Sequence, residues 1–354
     1  MHGARFLALD SYRFMAAMGI VLYHMNQEFE FGLEKVTLIA DRLYMFVDFF
    51  FIISGFVIMT AYAERATTLR GYGDFLWRRL ARIYPLHVVT ALLFAAMGAA
   101  ATHAGIVINH AEQYDLASLP WNLALLHAWG TVGGLTFNGP SWSISAEFFV
   151  YLLFPAIALV IGRWGASPSI AMALVLMAAL ALWRRAEGGH GLFELSYDFG
   201  NLRALPSFWL GAALARAYRS ADPRLALPWA VPHAAFLAIV AAMHLGLPDA
   251  GVLALMALTI VTAPLAERTR PHDITTRPAM VALGGASYSL YMLHVLVLIL
   301  VKHIGPTAGT GLVVKSVLTG LFIIALALAC HRWFERPVRH WIRSLLSRPA
   351  LQPG

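Results

Sequence analysis

Charge is scarce in this sequence: Asp, Glu, Lys and Arg together make up 13% of its 354 residues, against roughly a quarter in a soluble domain. That scarcity excludes an ordinary water-soluble fold. Cysteine is nearly absent, and the single Cys330 rules out an internal disulfide or a Cys-rich metal site and leaves the redox compartment unreadable. The sequence has no Gly-rich phosphate loop, no His pair at i and i+4 with a Glu, and no Ser hydrolase elbow, so metal chemistry has no support. Internal repeats, low-complexity tracts and an appended soluble domain are also missing, which leaves one membrane domain over 1–354 with a core of about 9–345. The net charge of +7 and pI of 9.7 do not indicate nucleic acid, because the basic residues fall between apolar segments and form no single patch.

What fills the chain is apolar sequence, 59% of it. Stretches long enough to cross a bilayer core of ~30 Å as helices run about 9–28, 43–64, 83–101, 141–162, 168–183, 203–219, 228–245, 250–266, 283–302 and 310–331. The expectation is an all-α polytopic membrane protein with about ten transmembrane helices, and hence both termini on one side. The first stretch carries Asp10, Arg13 and His24 and ends without a small-residue cleavage site, so it reads as a span and not as a signal peptide. With the N terminus in the cytoplasm, 18 of the 26 Lys and Arg residues fall in inner segments and six in outer ones, Arg203 among the six. This imbalance places both termini in the cytoplasm. The longest outer connection, about 102–140, has no Lys or Arg and suits a short interfacial helix and a lid.

Ionisable side chains inside apolar spans are costly and are the first functional candidates. Arg13 and His24 are eleven residues apart; at ~100° per residue they share one helix face, ~16 Å apart along the axis. Asp10, three residues before Arg13, is placed to pair with it. The alternative is an arginine that snorkels and a histidine satisfied in the core. Arg79 and Arg82, three apart, suit a phosphate clamp, although a row of arginines before a span also serves as a topology anchor. In the segment Pro140–Tyr151, Trp142 precedes Ser143 and Glu147, which stand one above the other at i and i+4. Glu147 has Arg13 or His24 as an obvious partner, or serves only to neutralise a buried arginine. Ser287, Tyr291 and His294 form a polar stripe at i, i+4 and i+7 that either lines a donor channel or ties helices together. Asp48 sits among aromatics near Gly55, a small residue that permits close helix contact; a structural tie and a catalytic role are equally open for it.

Taken together, these segments resemble the acyltransferase 3 family of bacterial integral-membrane O-acyltransferases. The resemblance runs the length of the chain: LDSYR with Arg13 and His24, VDFFFIISGFVI, RRLARIYP, PSWSISAEFFVYLLFP, GGASYSLYMLH and HRWFERPVRHW, in that order. It implies about ten spans in the inner membrane, an acyl-CoA donor (acetyl-CoA by default) reached from the cytoplasm, no permanently bound cofactor, and an acceptor hydroxyl on an extracytoplasmic glycan, lipid-linked sugar or small molecule. It makes His24 the essential histidine, with Arg13 its partner on the first helix. Arg79 and Arg82 become the pair associated with the donor; the polar stripe read from spacing adds Tyr291 and His294 as donor-binding candidates. Ser143 and Glu147 match the polar positions of the WSxxxE segment.

In physical terms, Arg79 and Arg82 would hold the phosphates while the pantetheine arm, roughly 15–20 Å long on ordinary bond dimensions, threads toward His24. His24 would take the proton of the attacking hydroxyl and Glu147 would orient the imidazole; attack by His24 itself is the other route. A proton-coupled transporter or exporter is the competing class, in which the same Arg, His and Glu form a relay. Oligomeric state cannot be read from the sequence.

Overall fold

The computed structural model describes residues 5–106, 110–189, 191–269 and 272–346. Among these the protein is entirely helical, without strands. In chain order the helices are α1 (Leu7–Phe29), α2 (Phe46–Tyr62), α3 (Leu69–His103), α4 (Leu119–Leu123), α5 (Trp142–Trp164), α6 (Ala166–Ala186) and α7 (Gly200–Ser220). They continue with α8 (Ala230–His244), α9 (Asp249–Thr269), α10 (Pro278–Gly285), α11 (Ser287–Val301), α12 (Gly309–Cys330) and α13 (Arg336–Leu346). A π-helical turn, His331–Glu335, joins the last two.

Every apolar stretch expected to cross the membrane falls on helix, as it must where no water is present to satisfy backbone groups. Among the described residues six helices are long and apolar enough to span, and a seventh is added if α10 and α11, bent by 59°, count as one. That number is smaller than the ten expected. α1 and α7 have ample length, but Asp10 and Arg13 in the first and Arg203, Arg216 and Arg219 in the second dilute their apolar character, while α8 has only 15 residues. The protein is a multi-pass membrane protein on this architecture.

α2 is the centre of the bundle, with 72% of its most apolar stretch buried, whereas α6 and α12 bury only 17% of theirs and turn the rest outward. Leu174, Val175 and Leu182 on α6, and Val317, Leu321 and Phe322 on α12, are exposed, as lipid-facing side chains are. The closest helix pair is α2 with α7. Gly55 lies against the Phe208 carbonyl and Gly211 against the Ile52 carbonyl, so that a Cβ at either would collide with backbone; the two glycines let the helices touch, as small residues do in membrane bundles.

The connection 102–140 contains two 3₁₀ turns, Ala111–Tyr114 and Leu116–Ser118, and the short α4; residues 107–109 lie outside the described residues. It is tied inward. The Asn122 carbonyl accepts from His87 Nε2 on α3 (2.8 Å) and Asn138 Nδ2 donates to the Met292 carbonyl on α11 (2.9 Å).

Candidate active site

A cavity of about 1050 Å³ opens between α1, α2, α3, α10 and α13. Nine arginines line it, Arg5, Arg13, Arg65, Arg79, Arg82, Arg332, Arg336, Arg339 and Arg343, and the one carboxylate among its lining residues is Asp10. Asp10 is shared: it meets Arg5 at 3.0 Å and Arg13 at 3.9 Å. Glu335, behind α13, accepts from Arg339 (3.4 Å), His331 (2.9 Å) and Ser289 (2.9 Å). The Nε atoms of Arg79 and Arg343 are buried without a hydrogen-bond partner among the described residues. Such orphaned donors are rare in folded proteins, and here they belong to side chains that line a cavity. Arg79 is held from behind by the rings of Tyr62 and Phe75, 5.0 and 5.9 Å from its guanidinium carbon.

At Arg13, Arg79 and Arg82 the wide cavity narrows into a second one of about 80 Å³, lined further in by Phe50, Ser54, Ser143, Glu147, Ser287 and Tyr291. Glu147 Oε1 accepts from Ser54 (2.7 Å) and Tyr151 (2.5 Å). Tyr291 OH is 2.9 Å from Ser143 Oγ and 2.9 Å from the Pro140 carbonyl, to which it donates. The Ser287 hydroxyl is buried with no hydrogen-bond partner among the described residues. The narrow cavity therefore runs from guanidinium groups to a wall of hydroxyls.

Behind Tyr291, one helical turn along α11, stands His294. Its ring is 5.8 Å from that of Tyr291 and 4.9 Å from that of His24 on α1, and its Nε2 lies 3.1 Å from His24 Nδ1. His294 is fully buried, while His24 is partly exposed. The sequence therefore brings together a cation-rich mouth, a slender passage and an imidazole pair, on α1, α3, α5 and α11.

A family model described as an acyltransferase domain matches residues 6–332. The chain belongs to the acyltransferase 3 family. This acyltransferase is 31% identical over 192 residues to Protein 2 in picA locus of Rhizobium radiobacter, a match covering 50% of the chain and 92% of the relative. It is 32% identical over 165 residues to acyltransferase MdmB of Streptomyces mycarofaciens, covering 43% of the chain and 38% of MdmB. With a Staphylococcus aureus (strain COL) protein carrying a provisional O-acetyltransferase name it shares 22% identity over 397 residues, covering 98% of the chain and 59% of that protein. The chain thus spans well under two thirds of the last two relatives. No solved structure matches it.

The acyltransferase brings most of the residues singled out in its sequence to one place. Arg13, Arg79, Arg82, Ser143, Glu147, Ser287 and Tyr291 line the narrow cavity, and Asp10 the wide one. Glu147 makes its hydrogen bonds to Ser54 and Tyr151 and not to His24; the imidazole's partner is His294, which sequence reasoning had assigned to the donor. Of the residues singled out, His24, His294, Asp48 and Trp142 line neither cavity; the imidazole pair reaches the narrow one only through Tyr291, beside which His294 packs. Asp48 is fully buried and bonded to Arg203 (2.7 Å) and Ser207 (3.0 Å) of α7, so it ties α2 to α7. Trp142 stacks on the Arg203 guanidinium, 5.1 Å from its ring centre. Arg203, counted in the sequence as a free topology charge, is 2% exposed. Six of the nine cavity arginines carry only a topology reading in the sequence: Arg5, Arg65 and Arg332, and, on α13, Arg336, Arg339 and Arg343. On α13 the spacing of three and four residues marks a single helix face, a signal present in the sequence and weakened only by the short helix that carries it.

Proposed function

We propose that this acyltransferase takes an acyl group, acetyl in the first instance, from acyl-CoA at the cytoplasmic face of the bacterial inner membrane. It delivers that group to a hydroxyl of an extracytoplasmic glycan, lipid-linked sugar or small molecule. The observation that carries this reading is the wide cavity, in which nine arginines face one carboxylate. Like charges crowded in a concave, partly buried space repel one another, and two of the guanidinium groups hold buried N–H donors with no acceptor among the described residues. A ligand with several phosphate groups answers both conditions through charge-assisted, forked hydrogen bonds. CoA has such a head and, attached to it, a thin arm. The cavity has the matching form, about 1050 Å³ at the mouth and about 80 Å³ beyond the Arg13–Arg79–Arg82 neck. The names of the relatives, acyltransferase and O-acetyltransferase, favour acetyl as the group carried. The excess of basic residues in the segments that include this mouth supports an inner-face position for it.

In the transfer, the acceptor hydroxyl gives its proton to His24 as its oxygen attacks the thioester carbonyl. The carbon–sulfur bond then breaks and the proton passes to the departing sulfur. Arg13, Arg79 and Arg82 hold the donor, and the hydroxyls of Ser143, Ser287 and Tyr291 guide its arm.

The test uses inside-out membrane vesicles of the host bacterium, whose own envelope glycans are the acceptor pool, and acetyl-CoA labelled in the acetyl group. Free thiol should appear in the outer medium and label should accumulate in the glycan fraction, and the His24→Ala protein should do neither. Uptake of label without thiol release would mean a transporter, and thiol release only from donor supplied on the opposite face would reverse the proposed orientation.

A further inference from the structure

His294 lines neither cavity, yet it is among the most deeply buried histidines of the protein. Its hydrogen bonds fix more than its own position. Nδ1 is 2.6 Å from the Tyr291 carbonyl, and a carbonyl oxygen only accepts, so Nδ1 carries the ring proton. In the neutral ring Nε2 is then a bare lone pair. That lone pair faces His24 Nδ1 at 3.1 Å and accepts from it, so His24 Nδ1 must be the protonated nitrogen. A second acceptor agrees. The Ile20 carbonyl lies 3.1 Å from the same His24 Nδ1, and it too requires a proton there. Both bonds leave His24 Nε2 bare and without a protein hydrogen bond among the described residues, on a partly exposed ring.

We infer that His294 is a positioning residue for the transfer: it holds His24 in the tautomer whose free Nε2 is the base, and it accepts from the imidazolium once that base is protonated. The inference rests on the acyl-transfer reading given above. The chain of bonds runs from the Tyr291 carbonyl through His294 to His24, with no carboxylate in it. A histidine here does the work that an acid does in a Ser-His-Asp triad, where the group behind the imidazole sets its tautomer and orientation and steadies the charge that forms. Buried without a formal charge, it accomplishes this without the cost of placing an unpaired carboxylate deep among apolar helices. During the reaction the hydroxyl proton arrives on His24 Nε2, the new carbon–oxygen bond forms, the carbon–sulfur bond breaks, and the same proton leaves with sulfur as the thiol. The Nδ1 proton stays in the bond to His294 throughout.

Two substitutions of nearly equal size separate this role from packing. His294→Gln keeps an amide that can donate to the Tyr291 carbonyl and accept from His24 Nδ1, whereas His294→Met fills similar space with no acceptor of comparable strength. Thiol release from acetyl-CoA by inside-out vesicles should fall about 10²-fold in kcat for the Met variant, the scale of one lost acid–base arrangement, with the KM for acetyl-CoA unchanged. The Gln variant should recover at least about tenfold over Met. Equal loss in both variants, or a Met variant as active as the parent, overturns the role. A second readout needs no turnover: 15N spectra of histidine-labelled protein in proteoliposomes, with the His24 signals assigned by their loss in His24→Ala. The expected result is an unprotonated Nε2 on His24 and a through-hydrogen-bond correlation between His24 Nδ1 and His294 Nε2. A protonated His24 Nε2 in the parent protein overturns the tautomer, whatever the activity. If the tautomer is as described and the parent protein releases no thiol, the acyl-transfer reading is the part that has failed, and the catalytic use of the pair fails with it.

Discussion

Two arginine sites lie deep in this protein, and they are built in opposite ways. Arg203 on α7 has every donor answered: Nε and Nη2 meet Asp48, Nη1 meets the carbonyls of Phe193 and Leu195, and its faces are covered by Trp142, Tyr44 and Phe193. Arg79 on α3 has rings on one side and a cavity on the other, and its Nε has no hydrogen-bond partner among the described residues. The first is a closed charge, spent on joining two helices. The second is an open one, and a buried donor left open in a lined cavity is the mark of a ligand that the chain alone does not supply. The difference separates structural from functional charge where composition cannot, since both residues are arginines in apolar surroundings.

Substitutions at the two sites should separate in the same way. The largest effect belongs to the closed site. Asp48→Ala strands the Arg203 charge and should lower stability by about 3–5 kcal/mol, read as a fall in the detergent unfolding temperature and in membrane-inserted yield. Replacing both partners with apolar residues, Asp48→Leu with Arg203→Met, should return most of that loss; if the double variant is as unstable as the single one, the pair is not the closed unit described. At the open site stability should barely move and donor handling should. Arg79→Ala loses charge-assisted bonds worth roughly 1.5–3 kcal/mol, which is about 10- to 150-fold in the KM for acetyl-CoA, with the unfolding temperature held within a few degrees. An Arg79→Ala protein that unfolds early and binds donor normally would erase the contrast between the two sites.

Arg343→Ala, on α13 in the wide cavity, should raise the same KM by about three- to tenfold, as expected of one charge-assisted phosphate contact from a partly exposed side chain. That effect should shrink as salt is added and exposed charges are screened. The smallest change is expected at an exposed ion pair away from both sites. Arg219 and Glu64 approach only to 4.0 Å with Glu64 86% exposed, and Glu64→Gln should alter stability by no more than about 0.5 kcal/mol. A larger shift there would mean that exposure is a poor guide to which charges matter in this protein.

The sequence by itself determined that the chain is helical and membrane-embedded, because runs of apolar residues in lipid leave the backbone no other way to satisfy its hydrogen bonds. It also marked most of the polar residues that line the narrow cavity. Arg79 with Arg82, Ser143 with Glu147 and Ser287 with Tyr291 stand at helical spacings, so each pair shares a face wherever its helix is placed. Spacing says nothing about which face meets which. Only the tertiary structure decided that Asp48 closes on Arg203, 155 residues away, and that His24 meets His294, 270 residues away, instead of Glu147. Only it gathered Arg336, Arg339 and Arg343 into the same mouth as Arg79. The physical reason is that helix packing in lipid is set by close contacts such as Gly55 and Gly211 against facing carbonyls. Those contacts fix the rotation of whole helices, and the polar partners follow from that rotation rather than from any pattern legible along one segment.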